Sequence, residues 1–184
     1  MSRPSLHVEP RGLVHIARHY VRELIYGSND GIITTFAVVA GVAGGSLSGT
    51  VVLICGAANL FADGLSMAVG NFLAIRAHES VLEAEGHPEE EAAPLRHAFA
   101  TFAAFVVAGA VPLLPYLLPG TREGQFAWSI VLTLLALFAV GALRSFFTNV
   151  RWWSSGLEML LLGAVVALVA YASGAVVAGL ISSS

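Results

Sequence analysis

The chain has 184 residues, 57% of them hydrophobic and 11% charged, with a formal net charge of -3. Soluble domains carry roughly a quarter of their residues as charges, so this composition, with a mean hydropathy of +0.79, excludes a soluble globular domain and indicates a polytopic membrane protein. The single cysteine, Cys55, excludes a disulfide framework or a Cys-based zinc site within one chain, and no phosphate-cradling loop, nucleophile–base set or nucleic-acid patch points to an enzyme or a nucleic-acid binder.

Residues 1–23 form a polar, Arg-bearing arm, without the short apolar h-region that marks a cleavable signal peptide. Its second half is amphipathic. Leu13, Ile16, Ala17, Tyr20 and Leu24 follow helical spacing while His15, Arg18, His19 and Arg22 take the other side, which predicts a helix lying along the membrane interface. A first span follows over about 24–45, a turn over 46–49, and a second span over about 50–74. A polar hairpin at 76–96 carries six glutamates. The third span covers about 97–118 and contains Pro112 and Pro115, which remove backbone hydrogen bonds and predict a kink. The fourth covers about 125–143, an Arg/Trp link occupies 144–155, and the fifth covers about 156–181. Each run meets the ~20 residues a membrane helix requires. The prediction is an all-α membrane protein, with residues 24–184 as one five-helix transmembrane domain.

Charge asymmetry orients it. With five spans, the arm, the hairpin and the Arg/Trp link share one side, which holds Arg3, Arg11, Arg18, Arg22, Arg76, Arg96, Arg144 and Arg151, against Arg122 alone on the other. The positive-inside rule puts the N terminus in the cytosol and the C terminus on the far side. Trp128, Trp152 and Trp153 fit interfacial belts. Glu158 suits either the N-terminal end of its helix dipole or a cytosolic vestibule.

Asp30 and Asp63 stand inside apolar spans, and intramembrane carboxylates are costly enough to mark ion or proton paths. Asp30 lies in Ser-Asn-Asp-Gly, a turn signal in soluble proteins. Asn59, Asp63, Met67 and Asn71 recur every four residues, which stacks two amides, a carboxylate and a thioether on one stripe of the second span. Oxygen ligands beside a thioether suit a divalent transition metal better than Mg²⁺ or Ca²⁺. Asp30 lies roughly 9 Å into its span at 1.5 Å per residue, and antiparallel pairing sets it abreast of Met67 with Asp63 just above. The alternatives are structural: carboxylates that cap a broken helix, a methionine that fills the core, and asparagines that bond neighbouring helices. The small residues Gly41, Gly44, Gly45, Gly56, Ala57, Gly64 and Gly70 are expected to allow close helix packing. In the hairpin, Glu79, Glu83 and His87 follow on successive helical turns as a candidate cytosolic metal-capture patch; the alternative is a solvated acidic loop.

Three stretches in order, Tyr26 to Gly41 (YGSNDGIITTFAVVAG), Ala62 to Leu73 (ADGLSMAVGNFL) and Pro112 to Tyr116 (PLLPY), resemble the vacuolar iron transporter family. The resemblance implies a five-helix protomer in a homodimer that moves Fe²⁺, and often Mn²⁺, out of the cytosol in exchange for protons. It also implies a pore between protomers that uses an aspartate of the first helix and a glutamate and methionine of the second. Asp30 and Met67 match two of those positions. At the glutamate position this chain has Asn59, with Asp63 one turn away, and the family's long glutamate-rich cytosolic domain is replaced by the short 78–97 hairpin. The expected metal and proton path is therefore Asp30, Asp63, Met67 and Asn59. Fe²⁺ or Mn²⁺ is cargo and H⁺ the counter-ion, no cofactor is tightly bound, and the expected partners are a second copy and the lipid bilayer. The small chain and its short loop suggest a prokaryotic plasma membrane; in a eukaryotic host the expectation is the vacuolar membrane. A metal sensor without transport, or a transporter of another cation, would use the same residues differently.

Overall fold

The computed structural model describes residues 5–6, 12–146 and 151–183. Arg3, Arg11 and residues 147–150 of the Arg/Trp link lie outside the described residues. The elements are α1 (Leu13–His19), α2 (Val21–Gly44), α3 (Gly49–Ala84), α4 (Pro94–Gly109), a 3₁₀ helix (Val111–Leu117), α5 (Arg122–Arg144) and α6 (Trp152–Ser182). Among the described residues there is no strand, only an isolated bridge between Ser5 and Glu89.

Among the described residues three helices, α3, α5 and α6, are long and apolar enough to cross a membrane, and α4 with the 3₁₀ helix is so as a pair bent by 44°. Pro112 and Pro115 stand in that 3₁₀ segment. The Pro112 carbonyl, freed from helical bonding, accepts a bond from Ser129 Oγ at 2.7 Å. At 24 residues α2 is long enough to cross, but with Arg22, Glu23 and Asp30 in it no stretch combines the apolarity and low charge that these helices have. Its Ser-Asn-Asp-Gly stretch makes no turn: the helix runs unbroken through Asp30, and Thr34 Oγ1 donates to the Asp30 carbonyl at 2.8 Å.

α3 extends ten residues beyond the span expected to end near 74. Residues 75–84 need no apolarity once outside the bilayer, and Ala, Arg, Glu and Leu in this stretch favour helix. It stops at Gly86, whose φ of +75° closes a Schellman motif: His87 N–H donates to Leu82 O at 2.8 Å and Gly86 N–H to Glu83 O at 3.1 Å. The polar hairpin is thus half helix, and only residues 85–93 are irregular.

α2 is central, touching α3, α4, α5 and α6. Its approach to α4 is backbone on backbone. A Cβ at Gly27 would stand 2.8 Å from the Thr101 carbonyl oxygen, and one at Gly31 would strike that of Phe105. Gly41 and Gly44 meet α6 at Gly174 and Tyr171 in the same way, so small residues set the helix spacing. Gly56 and Gly64 face Leu113 and the rings of Phe102 and Phe105, whereas Gly70 faces open space. The core between these helices is Phe36, Val39, Val52, Leu60, Phe105, Leu113 and Tyr116. At the end of α2 remote from the N terminus, Arg122 Nη1 donates to the carbonyls of Ser46 (2.6 Å) and Leu47 (3.3 Å).

Candidate functional site

The two acids singled out in the sequence lie on neighbouring helices, Asp30 on α2 and Asp63 on α3, and both are half-buried. α3 buries Val52, Gly56, Leu60, Gly64 and Ala68, a strict four-residue row. Asn59, Asp63 and Met67 each precede a member of that row, so they run along its edge, half-buried. Met67 packs against the core cluster. Asn59 Nδ2 is buried without a hydrogen-bond partner, as is Asn29 Oδ1 beside Asp30. Orphaned polar atoms of this kind are rare in native interiors and need an explanation.

Asn71 does not share this state. Its Nδ2 donates to Thr101 Oγ1 at 2.9 Å and its Oδ1 accepts from Arg22 at 3.5 Å, tying α3 to α4 and to the start of α2. That is the interhelical role open to it from the sequence.

A second polar assembly lies where α1 ends and α2 and α4 begin. His97, three residues into α4 from Pro94, is buried with 5% exposure, and Glu23, in the first turn of α2, is 2% exposed. His97 Nδ1 stands 3.1 Å from Glu23 Oε1, and His97 Nε2 stands 2.8 Å from Glu91 Oε2. His19 Nε2 approaches the same Glu91 oxygen at 3.6 Å. The rings of His19, Tyr20 and His97 pack together with centroids 4.7 to 5.0 Å apart. Burial pushes the Glu23 carboxyl up, but His97, the backbone and Arg22, 2.8 Å away, hold it down at about 2. Glu23 is therefore a permanent anion at neutral pH.

The irregular segment is built to deliver Glu91. One oxygen of Glu79 accepts both the Glu90 N–H at 3.0 Å and the Glu91 N–H at 2.7 Å. Glu91 Oε1 then accepts the Ala93 N–H at 3.1 Å, at the entrance to α4, while Oε2 lies against the histidines. The Leu6 N–H donates to the Glu89 carbonyl at 2.7 Å, fastening the segment from the other side. A cavity of about 520 Å³ opens beside the assembly, lined also by His78 and Glu90.

The sequence-derived capture patch is arranged otherwise. Among the described residues, His19, Glu91 and His97 form the one group of three His, Cys, Asp or Glu ligand atoms within 4.8 Å of one another. Glu79, Glu83 and His87 form no such group. Glu79 holds the loop, Glu83 is exposed, and exposed His87 lies 3.6 Å from Glu85. Sequence reasoning missed His19, which it placed on the polar side of the interfacial helix, and Glu23, which it assigned no role. Their four-residue separation, continued by Gly27, was the available signal of an inward stripe. Glu158 pairs with Arg144 at 3.6 Å.

A family model described as the VIT family matches residues 21–93 and 82–175. The two matches overlap at 82–93, the end of α3 and the loop that follows it. "Vacuolar iron transporter 1" of Arabidopsis thaliana is 27% identical over 241 aligned residues, covering 96% of both chains. The Eucalyptus grandis protein of the same name is 28% identical, covering 84% of this chain and 85% of its own. "Vacuolar iron transporter" of Toxoplasma gondii reaches 44% identity over 71 residues, 39% of this chain and 24% of its own. The chain belongs to the VIT family.

Proposed function

We propose that this protein is a membrane transporter, not an enzyme, and that it carries Fe²⁺ or Mn²⁺ out of the cytosol in exchange for protons. The observation that carries the reading is the pair of half-buried carboxylates, Asp30 on α2 and Asp63 on α3, within a bundle that includes helices long and apolar enough to cross a bilayer. The names of its relatives support metal as cargo, and the Met67 thioether one turn from Asp63 supports a transition metal. In this reading α2 through α6 make five spans, and the N terminus faces the cytosol. Each chain offers two acids, one thioether and the orphaned Asn59 amide. That is too few to enclose an ion, so two copies pool their ligands across a two-fold axis. The short 85–93 loop supports a prokaryotic plasma membrane as the host.

Carboxylate ligands must be deprotonated to bind metal, so cation and proton compete for the same oxygens. Metal entering between Asp30 and Asp63 displaces protons; protons arriving from an acidic far side expel metal. The buried amide of Asn59 stands where a ligand carbonyl or a hydrating water can be held as the ion moves along α3. Proteoliposomes with a pH-sensitive dye inside test this. Wild type gives Fe²⁺- or Mn²⁺-driven proton movement, Asp30→Asn abolishes metal flux and proton movement together, and Asp63→Asn reports whether this acid serves in place of one at Asn59. Wild-type vesicles without flux, or flux indifferent to Fe²⁺ and Mn²⁺, would overturn the proposal.

A further inference from the structure

The assembly around His97 lies apart from the intramembrane acids: Glu23 precedes Asp30 by seven residues, about 10 Å along α2. Three segments far apart in sequence, the end of α1, the loop after α3 and the first turn of α4, each send one side chain to a common point, with the ligand atoms of His19, Glu91 and His97 within 4.8 Å of one another. An ion triad centred on a protonated His97 accounts for part of this. It pairs both His97 nitrogens with carboxylates, but it leaves Glu23 Oε2 buried with no hydrogen-bond partner, and buried polar groups left unsatisfied are rare in native interiors.

We propose that His19, Glu91 and His97 form a binding site for a divalent first-row transition-metal ion at the cytosolic mouth of the bundle, with Glu23 orienting His97 from behind. The donor set carries the chemistry: two imidazoles and one carboxylate with open positions are a ligand set for Fe²⁺ and its neighbours, whereas Mg²⁺ and Ca²⁺ prefer all-oxygen shells. The dimensions agree. Bonds of about 2.0–2.1 Å in a tetrahedral arrangement put ligand atoms about 3.3 Å apart, and the two separations from Glu91 Oε2, 2.8 and 3.6 Å, bracket that value. A ligating histidine ordinarily gives its other nitrogen to a carboxylate, which fixes its tautomer and raises its basicity; Glu23 stands at His97 Nδ1 for that purpose. The cavity that His19, Glu91 and His97 line is also lined by His78 and Glu90.

The test uses the purified full-length chain with Co²⁺, whose visible absorption reports coordination by nitrogen. An Asp30→Asn/Asp63→Asn background removes the intramembrane acids, so the outcome does not depend on the transport reading. In that background Co²⁺ gives a d–d spectrum and raises the melting temperature, and equimolar Mg²⁺ does neither. His19→Ala and Glu91→Gln each weaken Co²⁺ binding at least tenfold and remove the melting shift. Glu23→Gln weakens binding about 10–100-fold, the range for loss of a carboxylate behind a ligating histidine, while the exposed Glu83→Gln and His87→Ala leave it unchanged. His19→Ala and Glu91→Gln are read first, because their side chains are less buried than His97 and their variants retain the helix core. Co²⁺ binding and melting shift unchanged in both would overturn the proposal and leave an ion-paired cluster. So would a Co²⁺ signal that disappears with Asp30 and Asp63 alone.

Discussion

The closeness of α2 to α4 can be measured by placing one methyl group in each of two environments. Gly31→Ala puts a Cβ onto the Phe105 backbone carbonyl, a group with no flexible end to yield, while Gly70→Ala puts the same Cβ into open space on α3. Alanine gains about 0.8–1.0 kcal/mol over glycine in a helix interior, and this gain is common to both variants. What differs is overpacking, which costs about 1–3 kcal/mol when a tightly packed site must shift. For a chain of this size each kcal/mol moves the melting temperature by about 2–4 °C. Gly31→Ala should therefore melt about 2–12 °C below Gly70→Ala, measured side by side in one detergent. Asp30 precedes Gly31, so the displacement also moves a proposed ligand, and metal flux should fall in Gly31→Ala and not in Gly70→Ala. Equal melting temperatures would refute the backbone contact between α2 and α4.

Met67→Leu conserves volume, so stability should change by less than about 1.5 kcal/mol while discrimination of Fe²⁺ and Mn²⁺ from Mg²⁺ falls in the flux assay; unaltered selectivity would return Met67 to core packing. Asn71→Ala breaks the bond to Thr101 and should cost about 0.6 kcal/mol, at most about 1.7, the range for interhelical polar pairs in membranes, with flux retained at moderate denaturant; lost flux at unchanged stability would place Asn71 in the ion path. Glu79→Ala frees the Glu90 and Glu91 amides, and their hydrogen exchange should accelerate about tenfold for each 1.4 kcal/mol lost, with no such change at the amides of α5.

The helices were legible in the sequence because their apolar runs are long. Asp30 and Asp63 interrupt such runs, so each stands out against its immediate neighbours as a candidate. Pro112 and Pro115 announced the bend in the fourth segment in the same local way. The length of α3 was hidden because Arg76, His78 and Glu79 were read as the end of a span, whereas polar residues end only the apolar stretch. The helix itself ends at Gly86, where the backbone turns left-handed. The assembly at His97 was hidden more deeply. His19 and Glu23 occur in a segment that reads as an amphipathic interfacial helix, and they are enclosed because a loop some seventy residues later folds back to meet them. That return depends on Glu79 binding two amides and on Glu91 turning one oxygen inward, and neither contact leaves a periodicity in the chain.

α3 is one continuous rod of 36 residues, about 54 Å at 1.5 Å per residue, and it carries Asp63 and Glu79 on the same unbroken helix. Sixteen residues, about 24 Å, separate them. A lever of that length magnifies small rotations: a tilt of about 10° pivoting at Asp63 displaces Glu79, and the loop hung from it, by about 4 Å. Such a stroke exceeds the 2.8 and 3.6 Å spacings that bring Glu91 to the two histidines. Because both groups ride on one helix, any tilt of α3 turns Asp63 and the loop hung from Glu79 through the same angle.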